Sequence, residues 1–203
     1  MNILAFGAHP DDIEFGCGGA LIKHAQRGDK VNLFVATQGE VGGKKDIRKK
    51  EQEKAARLIS AEKVFWGGLR DTDVMCDRAL IEKMEKAVKT VRPDVVYLLN
   101  PEDIHQDHRA VAQAGISATR YVKEVLFFEV PTSRDFEPDV FEDVTKVIHK
   151  KIALLRQHES QEKKTRVRNL TIVESALACA TFRGYQGRVR FAEGFKALRI
   201  LRT

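Results

Sequence analysis

Cysteine is scarce in this 203-residue chain: Cys17, Cys76 and Cys179 stand far apart, and any disulfide scheme leaves one over. A disulfide scaffold and a thiolate-rich metal site are both excluded, and a reducing compartment, the cytoplasm, is expected. Proline numbers five and tryptophan one, which excludes collagen-like and mucin-like chains. No apolar run approaches the ~18 residues of a membrane span, and the opening Met1-Asn2-Ile3-Leu4-Ala5-Phe6 reaches a histidine and three acids by Glu14. Neither a membrane span nor a signal peptide is expected. Missing too are the motifs of covalent and nucleotide chemistry: G-x-S-x-G, a Walker A loop and H-E-x-x-H.

What is there is an ordinary globular composition, 43% hydrophobic and 32% charged. At this length about 70% of the unfolded chain's surface can be buried, so a metal, where one is used, serves chemistry rather than folding. One domain spanning residues 1–203 is expected. The net charge of +6 is uneven: residues 144–203 carry fourteen Lys or Arg against four acids. Such a basic third suits a solvated face, an oligomer rim, an anionic small molecule or a nucleic acid. Phe182, Tyr185, Phe191 and Phe195 fall there at spacings compatible with core burial, and no RNA-binding signature accompanies them, so no stable nucleic-acid partner is expected.

Short β-rich runs alternate with helical patterns through the first half. Strands are expected at Asn2–Phe6, Lys30–Ala36, Lys63–Trp66 and Asp94–Leu99, and helices at Cys17–Arg27, about 46–59, Arg78–Val91 and from near His108. The fold class that follows is α/β: a Rossmann-like three-layer sandwich with a mostly parallel sheet, its core in about residues 1–120, and a short C-terminal elaboration. Beyond Lys123 we expect strands at Val125–Phe128 and Asp139–Glu142, helices at Val144–Gln157 and Thr171–Thr181, and strand or helix at Phe195–Leu201. Gln161–Arg168, seven polar residues in eight, reads as a surface connection.

Two polar clusters follow two apolar strands. The first, Gly7-Ala8-His9-Pro10-Asp11-Asp12-Ile13-Glu14-Phe15-Gly16-Cys17-Gly18-Gly19, offers one imidazole, three carboxylates and four glycines. Helix capping would explain one of the acids, and Gly16-x-Gly18-Gly19 is faintly similar to a dinucleotide loop, but three acids ahead of the glycines suit a phosphate poorly. The second is Asn100-Pro101-Glu102-Asp103-Ile104-His105-Gln106-Asp107-His108-Arg109. In a sheet of order 3-2-1-4-5 both loops meet at the reversal of strand order, where ligands bind. Together they supply more polar groups than a metal has ligand positions, which points to metal-activated hydrolysis with spare groups for the proton.

The first cluster closely resembles the hallmark A-H-P-D-D-E-like loop of the PIG-L/LmbE family of zinc-dependent N-deacetylases. Further elements are similar to that family's: Thr37-Gln38-Gly39-Glu40, Arg48-Lys49-Lys50-Glu51, Leu69-Arg70-Asp71, His105-Gln106-Asp107-His108, His158-Glu159-Ser160-Gln161 and Glu193-Gly194-Phe195. The resemblance implies Zn2+ held by His9, Asp12 and His108, with another divalent metal possible on this donor set. It implies Asp11 as general base and His105 as the group that holds the oxyanion or protonates the leaving amine. The implied substrate is a small-molecule N-acetylated amino sugar, for which Glu40, Arg48, Asp71 and His158 are the candidate contacts; the donor fork of Arg48 suits an anionic aglycone. Gln106 departs from the proline often found there. The chain is short for the family, so substrate-covering loops are expected to be either reduced or supplied by a neighbouring subunit, and a homo-oligomer is expected. The opposing readings are an inactive-pocket scaffold or nucleic-acid-associated protein, and a metal-dependent deformylase or phosphoesterase.

Overall fold

The computed structural model describes residues 1–201. Five strands run parallel: β1 (Asn2–Gly7), β2 (Lys30–Thr37), β3 (Lys63–Leu69), β4 (Val95–Leu99) and β5 (Glu124–Phe128). Two more, β6 (Val140–Asp143) and β7 (Ala192–Arg199), pair antiparallel with each other, and β7 pairs antiparallel with β5. The sheet order is β3-β2-β1-β4-β5-β7-β6. Ile3, Leu4, Ala5 and Phe6 of β1 and Val96, Leu98 and Leu99 of β4 are fully buried, as unbroken apolar runs must be when helices cover both faces of a sheet. Helices α1 (Asp12–Gln26), α2 (Lys45–Ile59) and α5 (Ile148–Leu155) pack together, while α3 (Arg78–Val91) packs with α4 (Gln106–Ala118). The expected α/β sandwich is therefore the observed one, and strand order reverses between β1 and β4.

The first polar loop is shorter than its glycines suggest. The α1 helix begins at Asp12 rather than at Cys17, so Asp12 and Glu14 stand on its first turn. Glycine's weak helix propensity argued for a turn, but burial demands glycine here: a Cβ on Gly16 would fall 2.0 Å from Cδ2 of Phe128. The same stretch is held by a buried ion pair. Glu193 accepts from the amides of Gly19 and Ala20 at 2.7 and 2.8 Å, and Lys151 Nζ bridges Glu193 to the Phe15 carbonyl.

Later elements differ in length. The α5 helix is confined to Ile148–Leu155, with the buried Val144 and Val147 in the turn before it. The last helix, α6 (Ile172–Gly187), runs past Thr181, and Thr171 and Glu174 form a reciprocal capping box at its start. The chain end resolves as strand, since β7 supplies the partner that β5 and β6 both need. Gln161–Arg168 is not wholly a surface connection: Gln161 is buried, and Lys164 Nζ donates to the Gly42 carbonyl at 2.6 Å.

Candidate metal centre

Both polar loops arrive at the reversal point. The rings of His9 and His108 lie with centroids 5.2 Å apart, and His105 packs against both, 4.7 Å from His9 and 4.6 Å from His108. Donor atoms of His9, His105 and His108 lie within 4.8 Å of one another, as do those of His9, Asp71 and Asp107.

Tautomers follow from the outer partners. His9 Nε2 lies 3.0 Å from Asp71 Oδ1 and 3.0 Å from Asp107 Oδ2, so this nitrogen carries the proton. His108 Nδ1 lies 3.2 Å from Asp103 Oδ1 and likewise donates outward. The inner atoms, His9 Nδ1 and His108 Nε2, then face each other as lone pairs at 3.2 Å. Asp12 closes the triangle, its Oδ1 3.4 Å from His108 Nε2 and its Oδ2 3.6 Å from His9 Nδ1. Three acceptors this close repel unless positive charge lies among them. Donors that sit about 2.0–2.1 Å from a tetrahedral zinc are about 3.3 Å apart, which is the spacing of His108 Nε2 from His9 Nδ1 and from Asp12 Oδ1, while Asp12 Oδ2 also accepts from the Ala8 and His9 amides.

The electrostatics describe the same demand. Burial alone would depress His9, but hydrogen bonds to Asp107, Asp12 and Asp71 hold its imidazolium well above the ordinary histidine range. Burial is likewise outweighed at His108, where Asp12 and Asp103 lift the value to about 9. Asp12, despite burial, is held well below the usual carboxylate range by His108 and His9. Asp71 is drawn down to about 2 against its burial, chiefly by His9. Without a metal, protons supply the positive charge that the acceptors need.

The remaining predicted residues divide by what they touch. Asp11 stands in the left-handed region at φ 101°, strained for a residue with a side chain. Its carboxyl lies 3.3 Å from Arg48 Nη2 and lines a cleft of ≈ 310 Å³. Burial raises its pKa, and Arg48 opposes the rise. His105 caps α4: its Nδ1 accepts from the Asp107 amide at 3.2 Å, which leaves Nε2–H as a donor on a half-buried ring. Burial and the neighbouring His9 and His108 lower its pKa.

The four candidate substrate contacts have internal partners. Arg48 is 5% exposed; it donates from Nη1 to the Gly39 carbonyl at 2.9 Å and from Nη2 to the Pro10 carbonyl at 2.7 Å. That guanidinium braces the His9 loop, and Gly39, at φ +65°, makes room for it. Asp71 accepts from the Val41 amide at 2.9 Å besides facing His9, and Glu40 accepts from the Asp71 amide at 2.9 Å. His158 is fully buried, 3.4 Å from Glu14 Oε2.

A family profile described as PIG-L, GlcNAc-PI de-N-acetylase, matches residues 4–119, which hold both histidine loops. The chain belongs to the PIG-L family. It is 36% identical over 168 residues to the uncharacterized deacetylase YaiS of Escherichia coli, covering 78% of this chain and 91% of that protein. Over 191 residues it is 26% identical to the diacetylchitobiose deacetylase of Thermococcus kodakarensis, covering 79% of this chain and 70% of that protein. The crystal structure of 4-carboxy-2-hydroxymuconate hydratase from Pseudomonas putida superposes with a TM-score of 0.86 at 23% identity, covering 100% of this chain and 98% of that one. That likeness is one of fold alone, so the side chains must decide the chemistry.

Within this PIG-L site, sequence reasoning passed over the residues behind the histidines. Asp107 accepts from the Thr72 amide at 2.7 Å while facing His9, and Asp103 accepts from the His105 amide at 2.8 Å while facing His108. Their signal was their place among the histidines in one short loop. Gln52 is equally hidden: its Nε2 donates to Glu14 Oε1 at 2.6 Å, and its Oε1 accepts from the Asp11 amide at 3.3 Å.

Proposed function

We propose that this protein hydrolyses the N-acetyl amide of an N-acetylglucosaminyl or related amino sugar, with His9, Asp12 and His108 holding a divalent cation. The observation that carries this reading is the meeting of His9 Nδ1, His108 Nε2 and the Asp12 carboxylate, with contacts of 3.2–3.6 Å, beside a second carboxylate, Asp11, that opens on a cleft. Membership of the PIG-L family and the deacetylase relatives support the amide over other electrophiles. Two imidazoles and one carboxylate suit zinc and leave room for a fourth, non-protein ligand.

When bound, the cation supplies Lewis acidity toward both water and the acyl oxygen. Asp11 is placed to take a proton from the attacking water and return it to the departing nitrogen, yielding acetate and a free amine. Arg48 holds that carboxylate at its post. The Nε2–H of His105 is the donor for the acyl oxygen as negative charge develops on it. Asp71, Asp107 and Asp103 fix the ring orientations of His9 and His108, the usual service of carboxylates behind metal-bound histidines.

Among the described residues no helix is long and apolar enough to cross a membrane, which suits a small water-borne substrate. A cytoplasmic homo-oligomer belongs to the same reading; free cysteines and the exposed Leu177, Phe182 and Tyr185 on α6 support it. An anionic aglycone would need a cation other than Arg48, and Lys164 is the one that lines the cleft. The test is acetate release by zinc-loaded protein from a panel of N-acetyl amino sugars, with sugar phosphates and N-formyl substrates alongside. Acetate from at least one amino sugar is expected. Phosphate or formate release without any acetate would replace the proposal by a phosphoesterase or deformylase, and no turnover at all by a scaffold.

A further inference from the structure

The cleft beside Asp11 is built largely by chain outside the matched family segment. Its far wall is the stretch between α5 and α6 together with the first turn of α6, and its near wall is the loop after β5. Four side chains on these walls are aliphatic, Pro131, Val167, Leu170 and Ile172, and no aromatic ring lines it. It borders the metal centre through two of its lining residues, Asp11, which precedes Asp12, and Thr132, whose hydroxyl lies 3.2 Å from His108 Nδ1.

The wall is a formed loop. Thr165 Oγ1 donates to the Leu170 carbonyl at 2.7 Å and accepts from the Val167 amide at 3.2 Å. Lys164 ties the same loop to the glycine turn after β2 through the Gly42 carbonyl. Arg166 and Asn169 take left-handed backbone at φ 62° and 59°, Arg166 within the turn that the Thr165 hydroxyl closes onto the Val167 amide. The loop leaves Val167 57% exposed at the cleft.

We propose that this cleft takes an aliphatic group carried by the amino-sugar substrate, rather than a second sugar ring. The inference rests on the amino-sugar reading above. A volume of ≈ 310 Å³ is at the small end for ligand sites. The polar lining, Thr132, Gln161, Lys164, Thr165 and Ser175, is already bonded to groups of the chain itself, so a second pyranose would lay its hydroxyls against the aliphatic wall with few free partners. An alkyl chain meets the same walls with no such loss, at about a fourfold gain for each methylene fully removed from water. The chain can enter from either side of the scissile amide, as a longer N-acyl group or as an alkyl aglycone.

Two substrate series separate these sources: glucosamine bearing N-acetyl, N-butyryl or N-hexanoyl groups, and methyl, butyl and hexyl glycosides of N-acetylglucosamine. For one of the series kcat/KM should rise at least tenfold from the shortest to the longest member. N,N'-diacetylchitobiose should not exceed the methyl glycoside. In the V167D protein, whose altered side chain is too exposed to threaten folding, the chain-length ratio should fall close to one. Calorimetric binding of the methyl and hexyl glycosides to the zinc-loaded protein gives the same comparison without turnover. Flat series in both rate and binding, or a preference for the disaccharide, would overturn the inference. Tighter binding of the hexyl glycoside with no hydrolysis of any substrate would support the cleft assignment while the deacetylase reading fails.

Discussion

Asp103 is the single carboxylate behind His108, whereas His9 has two, Asp71 and Asp107, both 3.0 Å from its Nε2. Removing one charge should therefore weaken metal binding unequally. In Asp103→Asn the amide oxygen can keep accepting from His108 Nδ1 and the His105 amide, and the new NH₂ can donate to Ser133 Oγ, now 3.0 Å from Asp103 Oδ2. Geometry is retained and only the charge that raises the basicity of His108 is lost. Losses of this kind run about 10- to 100-fold in metal affinity, or about 1.4–2.7 kcal/mol. Asp71→Asn leaves Asp107 in place and should fall below that range, at about two- to fivefold on the same scale. The assay is competition for zinc between chelator-treated protein and a chromophoric chelator, at one pH and ionic strength. Equal losses in the two variants, or a larger loss in Asp71→Asn, would refute the assignment of these carboxylates.

Three further outcomes follow from the same geometry. His108 in the metal-free protein sits at about 9, above the ordinary value of about 6.5. Its contribution is therefore whole below pH 6.5 and is lost as pH rises through 9, so chelator-treated protein should lose up to about 3 kcal/mol of unfolding free energy between those limits; urea melts at both ends check it, and a gain with rising pH would contradict it. Asp11→Asn should keep its zinc, by elemental analysis, yet lose at least about 100-fold in kcat, since a positioned general base is worth about 10²–10⁴. Arg48→Ala strips two carbonyls and Asp11 of their donor, and should lower stability by about 2–4 kcal/mol and depress kcat/KM alike for anionic and neutral substrates; a selective loss on anionic ones would restore Arg48 as a substrate contact.

The parallel half of the fold was legible because apolar strands buried on two sides leave no alternation to misread, and Ile3–Phe6 and Val95–Leu99 are such runs. The meeting of the His9 and His108 loops followed from strand order alone. The start of α1 did not, because Gly16, ahead of the expected helix, reads as a turn residue when its task is close approach to Phe128. Arg48 was hidden in another way. It stands in a run of lysines that face solvent, and only the helix phase turns this one cation inward onto Pro10 and Gly39. Asp71 was recognised as part of the site, but a sequence cannot distinguish a carboxylate that meets a sugar from one that orients His9. The polar stretch 161–168 concealed a cleft wall because its contacts, Gln161 and Lys164 against the turn at Gly42, are made to a loop more than a hundred residues earlier.

The central claim, that one divalent cation held by His9, Asp12 and His108 runs an amide hydrolysis, is tested most directly by titrating zinc into chelator-treated protein while acetate release from N-acetylglucosamine is followed. The rate should rise in proportion to zinc, level at one ion per chain, and stay near zero throughout in Asp12→Ala. Full acetate release before any zinc is added, or an undiminished titration in Asp12→Ala, would contradict the account.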